Sequence, residues 1–218
     1  MNKSSAFTTP RQIRRKAVAF TLIELLVVIA IIGILAALIT NLAGPAAQQR
    51  KIKRVQVELA QLETAIDSYK DKKGFYPPSH SDTNNTVTNQ LFYELTGTVF
   101  IEADDEFQTI NGSERIKIVT IDSFFGTKGF ANSSTDRGAV KNFFPGLKVT
   151  QYKEVSVSPD VELLVCPVDG PNDITVNGKK LNPWRYNSKT PTHNPDSYDL
   201  WAEILIGGKT NIIGNWKE

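Results

Sequence analysis

The chain has 218 residues, and its 25 Lys or Arg against 23 Asp or Glu give a formal net charge of +2. Its single cysteine, Cys166, excludes an intrachain disulfide. The two histidines, His80 and His193, lie in polar segments rich in proline, and no nucleophile, base and orienting group can be assembled around them or Cys166. We therefore predict a protein that is not an enzyme and has no cofactor, with surface histidines and a buried structural cysteine.

The N-terminal region joins a basic leader, residues 1–19, to an apolar run from Phe20 to Leu42. A helix rises about 1.5 Å per residue, so roughly 20 apolar residues can cross the hydrocarbon core of a bilayer. This length predicts a transmembrane helix over residues 20–43. Because the leader is basic and lacks acidic residues, the positive-inside rule places it in the cytoplasm and everything after residue 43 outside. Its basic residues are Lys3, Arg11, Arg14, Arg15 and Lys16.

Glu24 is the only ionisable residue in this apolar run. A carboxylate in hydrocarbon costs on the order of several kcal/mol unless it is paired or protonated, which marks Glu24 as a functional candidate. The alternative is a side chain that reaches the interface near the helix end. A secretory signal peptide cleaved near Ala36-Ala37 fits less well, because its apolar region would span about 7–15 residues.

The segment Phe20-Thr21-Leu22-Ile23-Glu24, between a basic leader and an apolar helix, resembles the N-terminal signature of type IV pilins and of type II secretion pseudopilins. The resemblance implies that a prepilin peptidase cuts between Ala19 and Phe20 and that the new α-amine of Phe20 is methylated. It also implies that Glu24 governs assembly, by pairing with the Phe20 amine of a neighbouring subunit. Ala19 stands where the family usually has Gly.

Removal of the leader would change the charge balance of the chain. The remaining 20 Lys or Arg against 23 Asp or Glu give −3, which gives no indication of a nucleic-acid partner. We interpret the basic pairs Arg50-Lys51 and Lys53-Arg54 as solvated helix charges.

A second helical segment follows a bend or melted turn expected at Gly44-Pro45. Residues 46–72 carry an apolar stripe with spacings of three and four, which predicts an amphipathic helix packed on a small sheet or, less fittingly, a coiled-coil seam. Gly74 is expected to end this helix. The stripe consists of Ile52, Val55, Leu59, Leu62, Ile66 and Tyr69.

Shorter elements are predicted beyond residue 79. They are a helix over 89–95 closed by Gly97, a strand over 115–121, a buried strand over 161–165 and an Asn-Gly hairpin over 174–179. Residues 124–144 have no clear periodicity and receive no assignment.

Three C-terminal segments resemble, in order, the Pro-Trp strand, the Tyr/Asp strand and the Ile-Gly-Asn-Trp terminus of the G-type major pseudopilin: Leu181 to Tyr186, Tyr198 to Trp201, and Ile213 to Trp216. The block 59–78 resembles the end of its helix, whereas most of residues 97–160 are unmatched. The alternative to a family motif is a purely structural role, in which Trp184, Trp201 and Trp216 are core aromatics.

The G-type resemblance also implies a calcium ion in the loop before the C-terminal Ile-Gly-Asn-Trp motif. That loop, residues 202–212, has one acid, Glu203, and one Lys, and only Asp196 and Asp199 lie close upstream. Calcium needs six to eight oxygens, so we predict that no metal is bound and that Ile212, Ile213 and Trp216 hold the loop. Gly207-Gly208 serves equally well as a hairpin turn.

These expectations combine into a pilin-like α+β fold, with a long N-terminal helix packed on a small antiparallel sheet. Its parts are a leader (1–19), a transmembrane helix (20–43), an amphipathic continuation (44–72) and a globular domain (73–218). The expected function is a pseudopilin of the bacterial inner membrane that polymerises with copies of itself into a periplasmic secretion filament. Its other expected partners are the prepilin peptidase, other pseudopilins, inner-membrane secretion proteins and lipid. The alternatives are a type IV pilin-like subunit in adhesion or DNA uptake, and a membrane-tethered binding domain.

Overall fold

The computed structural model describes residues 20–155, 161–171, 174–176 and 179–217, without the side chains of residues 38–43, 176 and 179. The predicted leader and Ala19 lie outside these residues. The chain forms two compact units, which divide between Pro45 and Ala46.

Helix α1 comprises Leu22–Lys73 and contains Pro45. Gly44 and Pro45 both have helical backbone, so the melted turn expected there is not seen. Within the part of the chain that is described, none of the helices combines the length and the apolar character that crossing a membrane requires. Several side chains at the end of the predicted span of residues 20–43 are outside the description, and that span stays a prediction.

The second half of α1 supplies one side of the core of the second unit. Five of the six stripe residues are buried, and Ile52 is partly buried against them, which confirms the predicted apolar face. The stripe packs against residues of the same unit, including Phe143, whose ring centroid lies 5.0 Å from that of Tyr69. The helix ends before Gly74, whose φ of +86° suits glycine and whose N–H donates to Lys70 at 2.8 Å.

Two short helices follow. Helix α2, Leu91–Thr96, is entirely buried and is closed by Gly97 at φ +76°, as predicted. The predicted strand over 115–121 is wrong beyond Lys117, because helix α3, Ile118–Phe125, begins there. Ile121 and Phe125 are fully buried at a helical spacing of four, and Gly126 ends the helix in the left-handed region. This apolar spacing outweighs the strand-like alternation that precedes it.

The strands form several small sheets in place of the single one expected. The first has the order β3-β2-β1-β4 and contains one parallel pair, β1 with β4. A second has the order β11-β10-β9, and β5-β6 and β7-β8 are antiparallel pairs. Their bounds are β1 Thr98–Ile101, β2 Glu106–Thr109, β3 Arg115–Lys117, β4 Ser133–Ser134, β5 Tyr152–Val155, β6 Val161–Leu164, β7 Ile174–Val176, β8 Lys179–Leu181, β9 Arg185–Asn187, β10 Asp199–Ile206 and β11 Lys209–Gly214, with a 3-10 helix at Arg137–Ala139.

Two of the predicted strand elements are confirmed. All four residues of β6 are buried, and Val165 continues into a bridge with Pro183. The predicted hairpin is the antiparallel pair β7 and β8, in which Val176 faces Lys179. The Asn-Gly turn itself lies outside the described residues.

Candidate assembly site and C-terminal motif strands

The predicted assembly residue, Glu24, lies in the first turn of α1. The Thr21 N–H and the Thr21 hydroxyl each donate to Glu24 Oε2 at 2.8 Å, and the Glu24 N–H donates to Thr21 Oγ1 at 3.3 Å. Thr21 directly precedes the first helical residue, so this reciprocal pair is a capping box that satisfies two orphan donors of the helix start. The signal Thr-x-x-Glu is present in the sequence, but the predictions for Glu24, a membrane charge and an assembly residue, did not include this local cap.

The surroundings of Glu24 are apolar and open. Phe20 is 77% exposed, and together with Ile23, Val27 and Val28 it lines a groove of about 300 Å³ beside the carboxylate. The positive end of the helix dipole favours the carboxylate at this position. The Glu24 side chain is exposed and is hydrogen bonded to Thr21 of the same helix. These capping bonds do not require a neighbouring subunit.

The three C-terminal motif segments come together on adjacent strands. Trp201 of β10 faces Arg185 of β9 on one side and Gly214 of β11 on the other. The rings of Trp201 and Trp216 meet edge to face with centroids 5.7 Å apart. The three-stranded sheet thus unites the segments that carry the G-type resemblance.

Trp184, which directly precedes β9, connects this region to helix α1. Its side chain is fully buried, and its indole N–H donates to Glu58 Oε1 at 2.9 Å. Burial raises the pKa of Glu58, while the hydrogen bond from Trp184 acts in the opposite direction. The interpretation of Trp184 as a core aromatic is confirmed, whereas Trp201 and Trp216 are only partly buried.

The carboxylate of Asp199 is occupied by hydrogen-bond donors. It accepts the backbone N–H groups of Thr192 at 2.6 Å, His193 at 2.9 Å and Asn194 at 2.9 Å. Although burial alone would raise the pKa of Asp199, these bonds lower it overall. His193 Nδ1 lies 3.3 Å from the same carboxylate, and its ring stacks on Trp216 with centroids 3.8 Å apart.

These residues do not fit the calcium site that the G-type resemblance implies. Glu203 lies in β10 and forms an ion pair with Arg185 at 3.3 Å. The carboxylate of Asp199 accepts hydrogen bonds from backbone N–H groups, which takes up the oxygens that a calcium ion would need. Residues 202–212 form a hairpin whose turn is Gly207-Gly208 at φ +59° and +78°. Among the described residues no cluster of three or more His, Cys, Asp or Glu could hold a metal.

The predicted packing of the C-terminal loop is partly wrong. Ile212 is 49% exposed, because it lies in an edge strand whose first four residues are all exposed. Ile213 packs against the core as expected. Asn215 supplies hydrogen bonds that were not predicted: its Oδ1 accepts from the Leu200 N–H and its amide donates to Tyr198 O, both at 2.9 Å.

Cys166 and His80, which were considered as candidates for catalysis, are held by burial and by main-chain hydrogen bonds. Cys166 is buried, as predicted, and burial raises the pKa of its thiol to about 12, so it is not a thiolate at neutral pH. His80 is hydrogen bonded to the main chain at Phe124 O, 3.1 Å away. The described chain thus places neither residue beside a partner that would activate it.

A family model described as the prokaryotic N-terminal methylation motif matches residues 14–40. The matched segment contains Ala19, Phe20 and Glu24, and it supports a prepilin-type protein of the pilin and pseudopilin class. Such a motif implies processing by the prepilin peptidase and polymerisation into a pilus-like assembly. Comparisons with curated proteins and with solved structures found no match.

Proposed function

We propose that this chain is a non-catalytic pseudopilin, which is cleaved before Phe20, anchored in the bacterial inner membrane by residues 20–43 and polymerised into a periplasmic filament for protein secretion. The observation that carries the proposal is the methylation motif over residues 14–40. The exposed apolar surface around Phe20 and Glu24 is consistent with it, because such a surface gains free energy by leaving water for lipid or for other helices.

The preference for secretion over a pilus rests on the C-terminal strands. The motif segments that resemble the G-type pseudopilin lie side by side on β9, β10 and β11. A lone cysteine cannot close the C-terminal disulfide that many type IV pilins have. Neighbouring genes for a secretion ATPase and an outer-membrane secretin would agree with this choice, whereas genes for a retraction ATPase or DNA uptake would oppose it.

Processing is the first test of the proposal. Intact mass and N-terminal sequencing of the membrane-bound protein should find a chain that begins at Phe20 and carries an N-methyl group. The variant Ala19→Lys should accumulate as full-length precursor, because a long charged side chain replaces the small one before the cut. A mature chain that begins near Leu38 would establish secretory cleavage instead.

Assembly is the second test, through Glu24. Glu24→Val should be processed and inserted but should be lost from sheared filaments, because the carboxylate can no longer pair with a neighbouring α-amine in a dry environment. Glu24→Gln, which keeps hydrogen bonding without charge, should be intermediate. Thr21→Val is the matched control, since it removes the Oγ1 cap and leaves the carboxylate. Normal filament yield from Glu24→Val would contradict the assembly role.

A further inference from the structure

Helix α1 carries two sets of opposite charges in the second unit. The basic cluster is Arg50, Lys51, Lys53 and Arg54, all of them exposed. The acidic ridge is Glu63, Asp67 and Asp71, three carboxylates at a constant spacing of four. Arg50 and Arg54 repeat the same spacing, and residues four apart are neighbours on a helix surface.

No close ion pair joins either set to another described residue, although the Arg54 charge attracts that of Glu58, four residues along the helix. The ion pairs found in the described part of the chain join Arg115 with Glu106, Arg185 with Glu203 and His193 with Asp199. Two of the three lysines that flank Asp71 have other contacts: Lys70 donates to Gly74 O at 2.8 Å, and Lys73 donates to Ala131 O at 3.3 Å. The third, Lys72, is exposed.

The acidic ridge repels itself. Burial raises the pKa of Glu63 and the Asp67 charge raises it further. Burial followed by the Asp71 charge does the same for Asp67. Like charges four residues apart destabilise a helix. A cationic partner would relieve this repulsion, and no ion pair to the ridge is found among the described residues.

Arg50 and Arg54 lie on a different flank of the helix from the acidic ridge, whereas Lys53 lies on the ridge side and Lys51 lies near the buried stripe. With 3.6 residues per turn, the Arg50 and Arg54 side chains point about 120° from the buried stripe in one direction, and the ridge points about 120° from it in the other. Their centres are roughly 20 Å apart along the axis. One molecule can therefore offer Arg50 and Arg54 to one neighbour and the acidic ridge to another.

We infer that the basic cluster of one subunit binds the acidic ridge of a second copy of this chain, with Arg50 and Arg54 facing successive carboxylates. This inference rests on the proposed polymerisation. Because the two surfaces differ, the contact is head to tail, leaves one unpaired surface at each end and propagates into an open polymer. Complementary charges at such a contact set its register and its partner.

The charge distribution favours a second copy over a lipid surface. Residues 46–218 hold 20 Lys or Arg and 22 Asp or Glu, so without the cluster's four cations the unit carries −6. Anionic headgroups could bind the cluster, but they would leave the acidic ridge without a partner. A second copy satisfies both sets at once.

Charge reversal in the full-length chain tests the contact. Arg50→Glu with Arg54→Glu, or Asp67→Lys with Asp71→Lys, should each lower the yield of sheared filaments about tenfold at an unchanged membrane level. The control matched to the arginine variant, Lys117→Glu with Lys128→Glu, makes the same charge change at exposed sites away from α1 and should leave the yield unchanged.

Restored complementarity is the decisive arm. The quadruple variant, which combines both pairs of substitutions in one chain, should recover filaments. Co-expression of the two double variants should do so too, because they can alternate along a polymer although neither assembles alone. If the wild type forms filaments but neither combination recovers them, this inference is overturned and the proposed function is not. If the wild type forms no filaments, the proposed function is overturned. If filaments are not restored and the arginine variant binds phosphatidylglycerol vesicles more weakly than the wild type does, the basic cluster binds lipid. That result would also overturn the inference.

Discussion

Glu94 is a charged side chain that the core encloses completely. It accepts hydrogen bonds from the Tyr69 hydroxyl at 2.8 Å, the Ala131 N–H at 2.7 Å and the Asn132 N–H at 2.9 Å. Burial raises its pKa to about 6, against these bonds, which favour the carboxylate. Through these hydrogen bonds Glu94 links α1, α2 and the segment before β4. No sequence pattern predicts this link.

The pH dependence of stability should identify this carboxyl group. Its folded pKa of about 6 lies above its ordinary value of 4.5, so the native state binds the proton more tightly. Glu94 alone should therefore lower the free energy of unfolding by up to about 2 kcal/mol as pH rises from 4.5 to above 6, in addition to any change from Glu162, whose pKa burial raises to about 8. Glu94→Gln should lack this component, measured by chemical denaturation of residues 46–218 across pH 4 to 8.

A control and a stronger variant sharpen this prediction. Glu102→Gln changes an exposed carboxylate and should keep the wild-type pH profile. Glu94→Ala should lower the free energy of unfolding by on the order of 3 kcal/mol, because it leaves buried donors without an acceptor. The same pH slope in the wild type and in Glu94→Gln would contradict the assignment.

At the scale of elements, periodicity predicted what depends on one continuous pattern. The α1 stripe, the Gly74 stop, helix α2 and the buried strand β6 follow from spacing and glycine punctuation. The predicted strand over 115–121 was wrong at its end because short apolar runs suit a helix or a strand, and tertiary packing decides. Partners distant in sequence, such as Glu58 for Trp184, are not encoded in any local pattern.

The turn between β10 and β11 gives an element-scale prediction. Gly207 and Gly208 both have positive φ, as a two-residue type I′ hairpin turn requires. No atom lies within 4 Å of a Cβ built on Gly208, so Gly208→Ala tests backbone conformation alone. It should lower the free energy of unfolding by about 1–2 kcal/mol.

Gly146→Ala is the matched control for that turn. It also has open space around the new methyl group, but its φ lies outside the positive range. Gly146→Ala should therefore be neutral or stabilising by up to about 1 kcal/mol. Equal effects of the two substitutions in denaturant titrations would show that β10 and β11 do not depend on this turn geometry.

At the scale of the whole molecule, the sequence predicted the class of the fold better than its layout. The long helix and the α+β composition are as expected, whereas one small sheet became several, including a parallel pair. Strand order depends on contacts far apart in sequence, such as Thr98 with Ser133, which periodicity does not specify. Of the candidate site, Phe20 and Glu24 were predicted, but the capping box around Glu24 was not.

The stability of the second unit should not depend on calcium. Hydrogen bonds centred on Asp199 and Asn215 hold the C-terminal strands, and stacking of His193 on Trp216 adds to them. Thermal melts of residues 46–218 should shift by no more than about two degrees between EDTA and millimolar calcium, because an ion that finds no site cannot stabilise the fold by mass action. Asp199→Ala should lower the melting temperature equally in both buffers, since it leaves several N–H donors without an acceptor. A calcium-dependent rise of about ten degrees in the wild type would require a tight site and would contradict this prediction.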